Sequence, residues 1–154
     1  MQRAADDKEN IEPKAVNRKL NKMQIIIFGA TGMVGKQLLK QALYKGHRVK
    51  AFGRNVFTEG LPEDGQLELV QGALFDESQV YKSIEGCDAV LSALGGDSTG
   101  ADFTRSLGMK NIVAQMQKAG LGRIVAVGGM GSLKADDDTL VMDQPGYPTK
   151  FLPV

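Results

Sequence analysis

Seven residues, Gly29-Ala30-Thr31-Gly32-Met33-Val34-Gly35, place three glycines at G-x-x-G-x-x-G spacing. They stand between an apolar run, Gln24-Ile25-Ile26-Ile27-Phe28, and a stretch whose apolar residues recur at helical intervals. A strand-to-helix turn of this composition can hold a pyrophosphate, because the free N–H groups and positive end of a helix starting near Met33 attract anions. Gly29 lets the chain turn sharply out of the strand. Gly32 lets the backbone approach a phosphate with no Cβ in the way, and Gly35 lets the helix pack tightly on the strand. The strand before and the helix after are the context that this motif requires of a dinucleotide site.

A second chemical group follows at a meaningful distance. Arg54 lies 19 residues beyond Gly35, just past a second strand-like segment. That position faces the adenosine ribose, where an acid would hydrogen-bond the 2′-OH of NAD and repel a 2′-phosphate. Phe52-Gly53-Arg54-Asn55 contains no acid. A guanidinium there can pair with a 2′-phosphate through two parallel hydrogen bonds. The expected cofactor is therefore NADP, in preference to NAD.

The elements that must position these groups are legible in the hydrophobic pattern. Gln24–Phe28 is a continuous apolar run of the kind found in a parallel strand buried on both faces. Val34–Tyr44 carries Val34, Leu38, Leu39, Ala42 and Leu43 at helical spacing, and Gly46 is placed to end that helix. Further strands are predicted at His47–Phe52, Leu67–Val70, Asp88–Leu91 and Ile124–Val127. Helices are predicted at Glu77–Ile84 and Phe103–Ala119, the latter with Leu107, Ile112, Val113 and Met116 on one side and Gly120 and Gly122 closing it. Strands alternating with helices imply an α/β domain, a Rossmann-type doubly wound parallel sheet. Right-handed crossovers give the strand order 3-2-1-4-5. After Gly128 the regular pattern stops, and three of the five prolines, Pro145, Pro148 and Pro153, mark a loop.

Composition narrows the alternatives. The chain has 154 residues, 42% hydrophobic and 24% charged, with formal net charge +1. That is one ordinary globular domain with no electrostatic reason to bind nucleic acid or an anionic membrane. The single cysteine, Cys87, rules out an intrachain disulfide and a multi-cysteine metal site. The single histidine, His47, rules out a multi-histidine one. Cys87 reads as a small half-buried residue, His47 as structural or solvated, and Asp136–Asp138 as a solvated loop. No run approaches the roughly 20 apolar residues of a membrane span, and Met1–Lys22 holds no signal-like stretch. A cytoplasmic location is expected. Residues 1–22 are polar and read as a disordered or expression-derived extension, so the domain is expected over residues 23–154.

The motifs together resemble the atypical, NmrA-like branch of the short-chain dehydrogenase/reductase superfamily, with the NAD(P)H-binding flavin reductase/biliverdin-IX-beta reductase group the nearest in pattern. The resemblance runs from about Met23 to Leu133. It rests on Ile26-Ile27-Phe28-Gly29-Ala30-Thr31-Gly32, Gly46-His47-Arg48-Val49, Gly86-Cys87-Asp88-Ala89-Val90 and Asn111-Ile112-Val113…Ala119-Gly120…Arg123-Ile124-Val125. It implies that the turn after strand three touches the adenine. That turn is usually Gly-Asp but here is Gly72-Ala73-Leu74, so contact would come from backbone or apolar packing at Ala73 and Leu74. It also implies that Ala93, Leu94 and Gly95 run beside the cofactor after strand four, and that Gly128 and Gly129 stand near the nicotinamide, where the family often has a hydroxyl. The Tyr-x-x-x-Lys pair of typical members is absent, since Tyr147-Pro148-Thr149-Lys150 has the wrong spacing. Ser132 and Tyr147 are the remaining hydroxyl candidates.

Hydride transfer asks the protein chiefly to hold two planar groups together. The expected function is thus an NADPH-dependent oxidoreductase acting on a flavin, quinone or similar planar acceptor. The alternative is a non-catalytic NADP-sensing regulatory or interaction protein on the same fold. The substrate-covering part that the resemblance implies is expected to be short or lacking. The sheet edge left open could then support homo-oligomers.

Overall fold

The computed structural model describes residues 21–96 and 103–149. Residues 1–20, nearly all of the N-terminal extension, and residues 97–102 and 150–154 lie outside that range. A five-stranded parallel sheet has the order β3-β2-β1-β4-β5, as predicted. Its strands are β1 (Gln24–Phe28), β2 (Arg48–Gly53), β3 (Leu67–Gln71), β4 (Ala89–Ser92) and β5 (Ile124–Ala126). The helices are α1 (Met33–Tyr44), α2 (Glu77–Ile84) and α3 (Thr104–Lys118). Every strand pairing is parallel, with Phe28 opposite Phe52 on one side and Ser92 on the other.

Side chains of β1 alternate between two cores because successive residues of a strand face opposite ways. Ile25 and Ile27 pack under α1 with Ala30, Leu39, Ala42, Val49 and Ala51. Ile26 and Phe28 pack under α2 and α3 with Phe52, Val80, Ile84, Val90, Ile112 and Met116. The rings of Phe28 and Phe52 lie 5.0 Å apart at a tilt of 52°. Both long helices stop on a glycine with positive φ, Gly46 at +78° and Gly120 at +69°. Each is followed by a bond back across five residues, His47 N–H to the Ala42 carbonyl and Leu121 N–H to the Met116 carbonyl. These are Schellman closures.

The helix faces differ from the sequence expectation. Val34 is 46% exposed, Leu107 50% and Val113 38%. The buried stripe of α1 is Gly35, Leu39 and Ala42, and that of α3 is Gly108, Ile112, Gln115 and Met116. With 3.6 residues per turn, Val34 and Leu107 each sit a full 100° from the glycine that follows them, at the edge of the contact. The close contacts run through small residues, which a search for large apolar ones passes over.

The segment after β5 is more ordered than a plain loop. Short 3₁₀ turns at Met130–Ser132 and Val141–Asp143 pack together, with a bridge between Lys134 and Leu140. His47 is buried, and its Nδ1 accepts the Met23 N–H at 3.2 Å. Cys87 is half-buried, and burial pushes its thiol pKa up, which suits an unreactive role. Asp136–Asp138 are exposed. Among the described residues no group of His, Cys, Asp or Glu could hold a metal ion, and no helix is long and apolar enough to cross a membrane.

Candidate dinucleotide site

The C-terminal ends of β1, β2, β3 and β4 present four loops on one side of the sheet. In an open parallel sheet this is where ligands bind, at the point where the strand order reverses. Here that point lies between β1 and β4.

The β1–α1 loop is built as a cradle. Gly29 has φ +78°, and a Cβ on it would fall 2.5 Å from the Ala93 carbonyl oxygen. The β1 and β4 loops therefore touch at a point where no side chain fits. A Cβ on Gly35 would overlap the Gly29 carbonyl and lie 2.8 Å from Ala30 Cα. Gly32 is different. Its φ of −71° is ordinary, and a Cβ there would meet only the Gly29 oxygen at 3.4 Å. The fold does not need glycine at position 32. An anion resting on the helix end would.

Gly32 is also the N-cap of α1 and offers no side chain to cap it, and the first turn holds no acid. Its own N–H bonds the Gly29 carbonyl at 3.1 Å. The N–H groups of Met33, Val34 and Gly35 begin the helix, where no intrahelical acceptor exists. They form an uncapped positive end beside a surface cleared of side chains, a good fit for a pyrophosphate. Ala30 is fully buried, Thr31 partly buried and Met33 exposed.

A Gly32→Ser variant separates fold from ligand. Serine is at least as good an N-cap as glycine, so thermal stability should hold or rise slightly. NADPH affinity should fall by tenfold or more, because the hydroxyl occupies the helix N–H groups and the approach. Calorimetric titration checks this, and undiminished affinity would remove the cradle from the phosphate site.

Arg54 follows the last residue of β2 with its side chain exposed. Its carbonyl accepts a bond from Gln71 Nε2 at 2.9 Å, and the Gly53 carbonyl accepts the Gly72 N–H at 3.2 Å. The turn after β3 is thus tied to Arg54. Within that turn the Ala73 N–H donates to Gln79 Oε1 at 2.8 Å, and the Ala73 carbonyl accepts the Asp76 N–H at 3.1 Å. The Leu74 carbonyl accepts from Asn111 Nδ2 at 2.8 Å. With both Ala73 backbone groups and the Leu74 carbonyl engaged internally, the Leu74 N–H and apolar packing are what this turn has left to offer a ligand.

The structure joins two predicted segments in a way their separation in the chain does not show. A Cβ on Gly108 would meet Leu74 Cγ at 3.0 Å and Leu94 Cδ1 at 3.3 Å. Leu74 and Leu94, from different loops, converge on one glycine of α3. Neither Gly108 nor Asn111 was among the predicted site residues, though Asn111 stands in one of the quoted motifs. Gly95, Gly128 and Gly129 have open space around them. Ser132 is exposed, and its hydroxyl donates to the Gly129 carbonyl at 2.9 Å. The Tyr147 hydroxyl rests over Gly131, where a Cβ would fall 2.6 Å from it. Both hydroxyl candidates therefore belong to the folded segment directly after β5.

The comparisons with known proteins agree with this geometry. The family model described as NAD(P)H-binding matches residues 29–148. The chain is 30% identical over 133 residues to the uncharacterized protein YwnB of Bacillus subtilis, covering 85% of this chain and 60% of that one. It is 29% identical over 135 residues to a 3 beta-hydroxysteroid dehydrogenase/Delta 5-->4-isomerase of Mycobacterium tuberculosis, covering 76% of this chain and 36% of that one. The crystal structure of the oxidoreductase ylbE from Lactococcus lactis superposes with a TM-score of 0.61 at 26% identity, covering 73% of this chain and 51% of that one. The chain thus spans between about a third and three fifths of the length of these relatives. The cradle, the sheet order and the family match lead to one conclusion: this chain belongs to the NAD(P)H-binding family and carries its Rossmann-type domain.

Proposed function

We propose that the chain binds NADP in preference to NAD and serves an NADPH-dependent reductase of a flavin, a quinone or a similar planar acceptor, in the manner of the flavin reductase/biliverdin-IX-beta reductase group. The observation that carries the reading is the uncapped N-terminus of α1 beside Gly32, a glycine the fold does not require. Arg54, exposed at the end of β2, supports the choice of NADP.

Bound NADPH supplies a hydride at the nicotinamide, and the acceptor takes up that hydride and a proton. The residues of this chain supply binding and orientation. The α1 N–H groups hold the pyrophosphate, Arg54 holds the 2′-phosphate, and Leu74 and Leu94 supply apolar packing. Gly128 and Gly129 leave room beyond β5. Val127, Met130 and Leu133 are exposed there and offer an apolar surface to a planar acceptor. A quinone or flavin can draw its proton from water, so this chemistry does not depend on a fixed side-chain acid.

The test follows NADPH oxidation with FMN and with a soluble quinone, alongside calorimetric titration of NADPH and NADH. The expected result is NADPH binding tighter than NADH and turnover with at least one acceptor. Binding without turnover across the panel would leave the cofactor assignment and overturn the reductase. Silence with every nucleotide would overturn both.

A further inference from the structure

We infer that Asn111 is a positioning residue for the adenosine half of the dinucleotide, holding the β3–α2 turn against α3 so that the turn keeps its place beside Arg54. This rests on the cofactor reading above.

The observations form a continuous chain of contacts. Gln115 is 1% exposed on the buried stripe of α3. A buried amide is costly unless it is hydrogen-bonded, and its Nε2 donates to Asn111 Oδ1 at 2.9 Å. That bond occupies the carbonyl side of Asn111 and turns its amide nitrogen toward the Leu74 carbonyl, 2.8 Å away. One helical turn earlier, Gly108 opens a notch that the Leu74 side chain enters, so close that a Cβ on Gly108 would overlap its Cδ2. Leu74 is therefore gripped twice by α3, through its carbonyl and through its side chain. At the opposite end of the same turn, Gly72 and Gln71 bond the Gly53 and Arg54 carbonyls.

The turn is thus a strap between α3 and the backbone that carries the 2′-phosphate ligand. Its middle is stiffened by Gln79, which holds the Ala73 N–H and donates to Asp76. The dinucleotide runs across the strand ends, with its adenosine half on the side of β2 and β3 and its nicotinamide half toward β4 and β5. Releasing the α3 end of the strap should therefore loosen the adenosine half and leave the nicotinamide half unaffected. A side chain that merely glued α3 to the sheet would affect both halves alike.

The experiment titrates the full chain with 2′,5′-ADP and NADPH by calorimetry, and with nicotinamide mononucleotide by NMR. The variants are Asn111→Ala and Asn111→Asp. The aspartate is nearly isosteric and still accepts from Gln115, but it has no donor for the Leu74 carbonyl, so it preserves packing. Loss of one hydrogen bond corresponds to roughly tenfold in affinity. Affinity for 2′,5′-ADP and for NADPH should fall by about that factor in both variants, with nicotinamide mononucleotide unchanged within about twofold. Gly108→Ala, which crowds the Leu74 side chain and also meets Leu94, should weaken 2′,5′-ADP as well. Equal losses on both halves, or no loss on 2′,5′-ADP, would overturn the inference while wild-type binding still upholds the cofactor reading. Failure of the wild-type chain to bind any of the three would overturn that reading and this one with it.

Discussion

Gly35→Ala is expected to lower stability by about 3 kcal/mol and to abolish measurable NADPH binding, although it replaces glycine by alanine inside a helix. Helix propensity alone predicts the opposite sign, since alanine is favoured over glycine in a helix by roughly 1 kcal/mol. Packing decides. The added Cβ would overlap the Gly29 carbonyl and reach Ala30 Cα, both backbone atoms. Ala30 is fully buried, and Gly29 is itself pressed against the Ala93 carbonyl, so neither can retreat. Overpacking of a tight core costs about 1–3 kcal/mol and occasionally more, and rigid backbone on both sides belongs at the upper end. For a chain of this size each kcal/mol moves the thermal midpoint by about 2–4 °C, so a drop near 10 °C is expected. The strain falls on the residues proposed to cradle the pyrophosphate, so binding should suffer beyond the loss of stability. Thermal unfolding with and without NADPH reads both quantities. A midpoint equal to or above wild type would show that α1 can lift off β1, and the close packing argued for the cradle would be wrong.

Arg54→Asp is expected to invert the nucleotide preference. The guanidinium is exposed at the end of β2 and free to form a bidentate pair with a 2′-phosphate, while an acid at the same place accepts from a 2′-OH and repels the phosphate. Losing a charge-assisted pair and adding repulsion should weaken NADPH by roughly 10- to 100-fold. NADH should bind as well as before or better. Because the site is exposed, part of the effect is screened by salt, and the ratio should be larger at low ionic strength. Calorimetric titration at two salt concentrations measures it. Unchanged NADPH affinity would place the 2′-phosphate elsewhere and leave Arg54 a surface residue. Gly35→Ala and Arg54→Asp are independent, since the first acts through backbone overlap and the second through charge.

How far the site was legible depends on the residue. Gly29, Gly32 and Gly35 were assigned separate roles from spacing alone. The structure shows the first with positive φ and the third in close contact with Gly29 and Ala30, the loop that leaves β1. It adds a second duty for Gly29, the contact with Ala93, because β1 and β4 become neighbours only when the sheet forms. The strand order followed from alternation and crossover handedness, and strand ends shifted by about one residue. The helix faces were less legible. Val34, Leu107 and Val113 are apolar and well spaced, yet the contacts run through Gly35, Gly108 and Gln115. Hydrophobic spacing detects large side chains. It is blind to a helix that approaches through a glycine, and to an amide that is buried because another amide satisfies it.

The sequence by itself determined the glycine loop between β1 and α1, which is written in a few neighbouring residues, and the parallel sheet and its order, which follow from strand–helix alternation repeated along the domain and the fixed hand of its crossovers. Only the tertiary structure decided that Leu74 and Leu94 meet at Gly108, that Asn111 reaches 37 positions back along the chain to hold the Leu74 carbonyl, and that Tyr147 covers Gly131. Those contacts depend on how loops from different strands come to rest at one end of the sheet. Strand register and the tilt of α3 set that arrangement, and no local pattern records either.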